Sequence, residues 1–371
     1  MRSISLCFLL FATLSLQAQF EENFQPITDG DPLTVQAYME QNNVSGFSFY
    51  ADFGNGQDTA VLLGHRGDAG QTPMSLDTRF QVSSMGGAAI CMAILHLVDQ
   101  GKIVLDAPAD QYLPKPIVDK RKKPDGPVTV RDLIIYRRDF KMNQKPKGYA
   151  MGEDLPTLEE VIAGNGPAKT DPITIRGNLN KDQNSQYGNI LFLQQILEHH
   201  YKKPLSRIID SLIFKPLGMD DSEFGVELSD EDEAKAAHGY LEGGKPIKGG
   251  YRRYPELGAS GMWSTPRDFC KLVRHVMDAA AGKDNRLLSV ELAKQGMTRA
   301  LGHRSLIFHI NDNGDVYWGG NAKGFFMSMQ AWPEKGMVAV AACNLDLQWR
   351  LVNPAIYQTY NWARKHIDGF E

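Results

Sequence analysis

Ser84 is the residue on which chemistry in this chain would turn. It heads a long apolar stretch, Ser84 to Val98, that stops at Gly101. The length of that stretch and its Ala, Ile, Met and Leu content argue for a buried helix with Ser84 near its N-cap. A helix N-terminus favours negative charge, but a serine hydroxyl is a poor nucleophile without an adjacent base. The first lysine after Ser84 is Lys102, beyond the end of the helix. No S-x-x-K and no G-x-S-x-G elbow occurs anywhere. Without such a base, a helix-capping role is sufficient to account for Ser84.

The elements that must position this serine follow from the hydropathy pattern. Residues 33–42 read as a helix, and 46–51 and 59–64 as two strands around a turn at 54–57. Residues 106–230 are broken by Pro108, Pro114, Pro116, Pro124 and Pro127. Helical pieces there fall at 129–136, 157–163, 189–200 and 204–213. A helix from Pro266 to about Ala281 follows, then strand-like runs at 304–310, 314–319, 324–332 and 336–343. A last helix is expected at 353–367. Strands at both ends with helices between predict an α+β fold: an antiparallel sheet built from N- and C-terminal strands, flanked by helices, with an inserted mostly helical lobe. The sheet lobe is expected at about 34–83 and 285–371, the helical lobe at about 84–284, and a cleft between them.

The 371 residues carry 42% hydrophobic and 23% charged side chains and a net charge of −4. That balance suits a globular chain and supplies no basic surplus for nucleic acid. Residues 1–18, MRSISLCFLLFATLSLQA, read as a secretory signal, with Arg2 before an apolar run and Ala18 at the expected cut. The run is shorter than the ~20 residues of a spanning helix, so no membrane span is expected after cleavage. Removal takes Arg2 and no acid, which moves the charge from −4 to −5. Cys91, Cys270 and Cys343 remain, far apart and in apolar contexts, and read as buried small residues rather than disulfides or metal ligands. The absence of paired-cysteine, HExxH and P-loop patterns leaves no expectation of a metal or cofactor.

Several segments together carry a resemblance. TRFQVSS at 78–84 and AILHLVDQGKIVLDAPADQYLP at 93–114 stand beside VTVRDLI at 128–134, QYGNILFLQQILE at 186–198 and FKPLGMDDSEF at 214–224. GASGMWSTPRDF at 258–269 and AWPEKGMVAVAACN at 331–344 complete the series. In this order they are similar to the β-lactamase-related serine hydrolases: class C β-lactamases, penicillin-binding proteins, D-aminopeptidases and esterases. The resemblance runs from about residue 34 to 365 and implies the fold described above.

The resemblance also implies three catalytic motifs, and this chain departs from two. The first, S-x-x-K, is matched by Ser84-Met85-Gly86-Gly87, so the serine is kept and the lysine is glycine. Three residues is nearly one helical turn, which is why hydroxyl and amine would share a face. The second, Y-x-N, is matched by Tyr187-Gly188-Asn189, implying proton transfer by the tyrosine and substrate-amide contact by the asparagine. The third, H-x-G or K-[ST]-G, falls on Trp318-Gly319-Gly320-Asn321-Ala322-Lys323-Gly324, where Lys323 and Gly324 are the nearest remnant and are taken as substrate-binding. His65-Arg66-Gly67 lies too early to serve and reads as a strand end. Where many relatives carry H-T-S-G this chain has Tyr136-Arg137-Arg138-Asp139, with solvent the default expectation for both arginines and positive charge near the cleft the alternative.

The expected function is therefore an exported bacterial homologue, periplasmic or secreted and catalytically impaired, whose cleft binds a ligand or partner: a cell-wall peptide fragment, a small acyl compound or another envelope protein. An unaided Tyr187, with an ordinary pKa of about 10, would be ionised in roughly one molecule in a thousand at neutral pH. General-base help is worth about 10²–10⁴-fold. The alternatives are an active hydrolase using Ser84 with Tyr187 and a non-standard base such as Lys323 or an arginine, and a purely structural role.

Overall fold

The computed structural model describes residues 35–123, 125–140, 147–175, 186–346 and 352. The expected signal at 1–18 and the last helix at 353–367 lie outside them.

Among the described residues, eleven strands form three sheets. The largest contains β1 (Gly46–Asp52), β2 (Asp58–Gly64), β8 (His309–Ile310), β9 (Val316–Ala322), β10 (Phe325–Trp332) and β11 (Met337–Cys343), in the order β2-β1-β11-β10-β9-β8. All its pairings are antiparallel, and the N-terminal hairpin joins the C-terminal strands through β1 against β11, with Phe47 opposite Cys343. The α+β plan expected from the sequence is thus the observed one. β3 (Phe80–Gln81), β4 (Glu223–Phe224) and β7 (Met262–Ser264) make a short second sheet in the order β3-β7-β4. β5 (Tyr240–Leu241) and β6 (Lys245–Pro246) pair with each other.

The two-residue period of a strand divides the main sheet between two cores. Met337, Ala339, Ala341 and Cys343 of β11 join Phe47 and Phe49 of β1 and the Val35–Asn42 helix on one face. Val338, Val340 and Ala342 face the larger core, which contains the Pro266–Ala280 helix and the helical lobe. That helix is started by Thr265, whose side chain accepts from the Asp268 amide, with Pro266 at the first position.

The Gly87–Asp99 helix runs through the middle of the larger core. Every residue from Gly87 to Leu95 is buried, so it is apolar on all sides, as a fully enclosed helix must be. Gly101, at φ +68°, ends it. The Gln186–Tyr201 helix packs beside it in the helical lobe.

One strand expectation is only partly met. Of 304–310, only His309–Ile310 pairs in the sheet. The chain before it folds back, with Ser305 N–H donating to the Phe308 carbonyl, and places Arg304 in the interior. The Arg304 guanidinium lies over the rings of Tyr136 and Trp318, 4.3 and 4.6 Å from their centroids. It donates to the carbonyls of Ile134 and Ile307 and to Cys91 Sγ. An arginine so placed satisfies its donors against backbone and spreads its charge over π faces.

Candidate functional site

Ser84 lies in a 3₁₀ turn, Ser83–Gly86, between β3 and the central helix. The Val82 amide ties the end of β3 to the Met262 carbonyl of β7 at 2.9 Å. Ser83 then takes φ +49°, a left-handed conformation that costs a non-glycine residue about 1–2 kcal/mol. This reversal brings Ser84 out of a buried segment: Ser84 is partly exposed while Gln81–Ser83 and Met85–Ala89 are buried.

The N-cap expectation for Ser84 is therefore corrected. Val82 and Gly86 hold the cap positions of the turn and of the α-helix, and neither makes a side-chain cap bond. Gly86 already has helical angles, and the Gly87 amide donates back to the Ser84 carbonyl, so a serine side chain is not needed there. Gly86 itself is demanded by packing. A Cβ added to it would stand 2.9 Å from Met262 Cβ and 3.1 Å from Phe224 Cε1.

The 318–324 segment, where the third motif is expected, packs through β9 on the Ser83–Gly86 turn. β8 pairs only with Val316 and Tyr317 of β9, so the rest of that edge is left to the Ser83–Gly86 turn. Gly320 permits the approach: a Cβ there would lie 2.0 Å from the Val82 carbonyl oxygen. At the neighbouring residue the Ser84 hydroxyl donates to the Gly319 carbonyl at 3.1 Å. A peptide carbonyl accepts a hydrogen bond but does not take the proton, so this contact orients Ser84 without activating it. Lys323 and Gly324 form the β9–β10 turn, with Gly324 at φ +90°.

Tyr187 and Asn189 occupy the first turn of the Gln186–Tyr201 helix. Asn189 is fully buried, and its Nδ2 donates to the Arg138 carbonyl at 3.1 Å. Tyr187 is 7% exposed. Its hydroxyl faces Glu256, a residue the sequence reading missed, just ahead of the short helix Leu257–Ser260. That helix packs against both the Ser84 turn and the Gln186–Tyr201 helix. The hydroxyl and the carboxyl interact, yet neither the Tyr187 hydroxyl nor Glu256 Oε2 completes a hydrogen bond of ordinary geometry.

Burial dominates the electrostatics of this group. It pushes the Glu256 carboxyl up to about 7, with its own backbone amide and the Tyr187 hydroxyl opposing. Burial also raises the Tyr187 phenol, and the neighbouring Glu256 charge raises it further. Tyr254 rises to about 12, again chiefly from burial, and its hydroxyl accepts from the Lys323 backbone amide at 3.3 Å. Lys323 thus reaches this cluster through its main chain.

The two arginines of the 136–139 segment part ways. Arg137 stays partly exposed, 3.7 Å from Asp132. Arg138 is 1% exposed, which corrects the expectation of solvent. Its guanidinium pairs with Asp132 at 2.9 Å and donates to the Pro127 carbonyl. Asp132 is held by the Thr129 capping box, so a local helix start fixes the carboxylate that draws Arg138 inward.

His65 directly follows β2, and its Nδ1 accepts from the Gly67 amide. Cys91, Cys270 and Cys343 are free and buried. Among the described residues no group of three or more His, Cys, Asp or Glu could hold a metal ion, and no helix is long and apolar enough to cross a membrane.

Comparison with known proteins agrees with this architecture. EstCE1, a hydrolase with promiscuous acyltransferase activity, superposes with a TM-score of 0.70 at 18% identity, covering 93% of this chain and all of that one. The D-amino acid amidase from Ochrobactrum anthropi SV3 superposes at 0.69 with 18% identity, covering 89% and 97%. At these identities the likeness is one of fold. By sequence, Protein Rv1367c of Mycobacterium tuberculosis is 24% identical over 250 residues, 62% of this chain and 61% of that protein. Esterase EstB of Burkholderia gladioli is 26% identical over 166 residues, 41% of this chain and 40% of that one. The matches span about three fifths or less of the length of these curated relatives. The Beta-lactamase family model matches residues 33–355, and the chain belongs to that family of serine-hydrolase fold.

Proposed function

We propose that this protein is an exported member of the family whose acyl-transfer chemistry is impaired, and that it acts by binding a small peptide or acyl ligand of cell-wall type in the cleft around Ser84, Tyr187 and Asn189. The observation that carries this reading is the treatment of Ser84. Its hydroxyl is donated to the Gly319 carbonyl, and position 87, one turn along, has no side chain to act as base. Support for a binding role comes from the partly exposed Ser84 and from the short Leu257–Ser260 helix, headed by the buried Glu256, which packs on the Ser84 turn and on the helix bearing Tyr187. Export rests on the character of residues 1–18, and a periplasmic or secreted location follows from it.

The test is labelling of the mature protein by a fluorescent penicillin or fluorophosphonate, with Ser84→Ala as control. Thermal-shift screening with muropeptides then reads binding. Rapid Ser84-dependent labelling at neutral pH would contradict impairment, and a flat screen would contradict the ligand. A second reading, an active hydrolase with a non-standard base, is favoured by one observation, the placement of Glu256 behind Tyr187.

A further inference from the structure

We propose that Glu256, acting through Tyr187, is the terminal proton acceptor for whatever acyl transfer Ser84 still performs, in place of the lysine absent at position 87. The inference rests on the reading of the cleft around Ser84 and adds a route that this reading does not require.

Three observations lead to it. First, Glu256 is 2% exposed and Tyr187 7% exposed, and both Oε2 and the phenol oxygen lack a completed hydrogen bond. Buried polar atoms left in that state have lost water without a full replacement, and functional clefts are where such a cost is retained. Second, Glu256 heads the Leu257–Ser260 helix, which packs on the Ser83–Gly86 turn and on the helix bearing Tyr187. Glu256 therefore heads an element that bridges the Ser84 turn and the helix bearing Tyr187. Third, the ionisable groups that face Glu256 are phenols: Tyr187, Tyr149 from the segment bridged to Arg253, and Tyr254, two residues before it. All three phenols are raised by burial and stay neutral, so ionisation near neutrality falls to the carboxyl.

The step balances without another reactant. Ser84 Oγ bonds to the acyl carbon as its proton passes to the Tyr187 oxygen and the Tyr187 proton passes to Glu256 Oε2. On collapse the bond to the leaving group breaks, and the proton returns through Tyr187 to that group. Water then cleaves the acyl-serine by the same relay. In this relay Tyr187 exchanges the proton with Ser84 directly, and Glu256, which receives it from Tyr187, stays one group removed from the reacting atoms and fixes the resting protonation state. The relay needs a carboxylate, so it is off below the Glu256 pKa and on above it.

The experiment is acylation by p-nitrophenyl acetate, followed by intact mass from about pH 5 to about pH 9, with the Ser84→Ala signal subtracted. The expected wild-type rate rises about tenfold per pH unit up to about 7 and then levels off. Glu256→Gln should lower the rate at about pH 8 by tenfold or more and abolish the levelling, while Glu256→Asp keeps a rise and a plateau. Tyr187→Phe should remove both. Circular dichroism establishes that each variant is folded. No Ser84-dependent acylation at any pH, or a profile unchanged in folded Glu256→Gln, overturns the inference. Fast Ser84-dependent acylation that keeps the Glu256 limb instead overturns only the impairment reading.

Discussion

The Ser84 hydroxyl and the Gly319 carbonyl are joined at 3.1 Å across the junction of the Ser83–Gly86 turn and β9. The strand reaches the turn because Gly320 has no Cβ, and the turn reaches the strand because Ser83 reverses the chain at φ +49°. This pairing holds the serine in place and leaves its proton on an acceptor that cannot take it.

The two glycines should respond differently to substitution. A Cβ at Gly319 meets nothing nearer than 3.8 Å, so Gly319→Ala should leave the thermal midpoint nearly unchanged. Gly320→Ala drives a methyl into the Val82 carbonyl and should cost about 1–3 kcal/mol, read by denaturant unfolding. Equal effects at the two positions would contradict the close approach.

Glu256 should make stability depend on pH in a definite direction. Its folded pKa of about 7 lies above the unfolded carboxyl value, so the native state holds a proton the unfolded chain has lost. Stability is therefore fully present below about pH 4 and declines as pH rises to about 7. Glu256→Gln removes that decline. The variant should match the parent near pH 4 and exceed it at pH 8 by on the order of 3 kcal/mol, measured by urea melts at the two pH values. A constant difference across that range would contradict a buried protonated carboxyl.

Arg304 should not tolerate lysine. The guanidinium spans the Ile134 and Ile307 carbonyls while lying over two rings, which a point-charge ammonium cannot reproduce. Arg304→Lys should lose about 2 kcal/mol or more. Because Trp318 precedes Gly319, it should also increase amide hydrogen exchange in β9. Unchanged stability and exchange would show that the stacked arrangement is dispensable.

Much of the fold was legible because strand and helix periods are local properties. The joining of 46–64 with 316–343 in one sheet, the enclosed helix after Ser84 and the burial of Cys91, Cys270 and Cys343 all followed from apolar spacing. The failures share a cause in partners distant in sequence or hidden in local backbone. Ser84 reads as a cap because a serine precedes an apolar run, and only the structure reveals the 3₁₀ turn between them. Arg138 reads as solvent-exposed until Asp132, fixed by its own capping box, pulls it inside. The run at 304–310 reads as strand because its apolar residues outweigh the arginine that turns the chain inward. Glu256, between Pro255 and Leu257, carries no motif; its significance arises from Tyr187, 69 positions earlier in the chain.

The most direct measurement of the central claim is the rate at which a fluorescent penicillin or fluorophosphonate labels Ser84 at pH 7, with Ser84→Ala subtracted. A serine held on the Gly319 carbonyl without its lysine should react at least about a hundredfold more slowly than in a lysine-bearing relative under the same conditions. Labelling at the relative's rate, abolished by Ser84→Ala, would contradict the account.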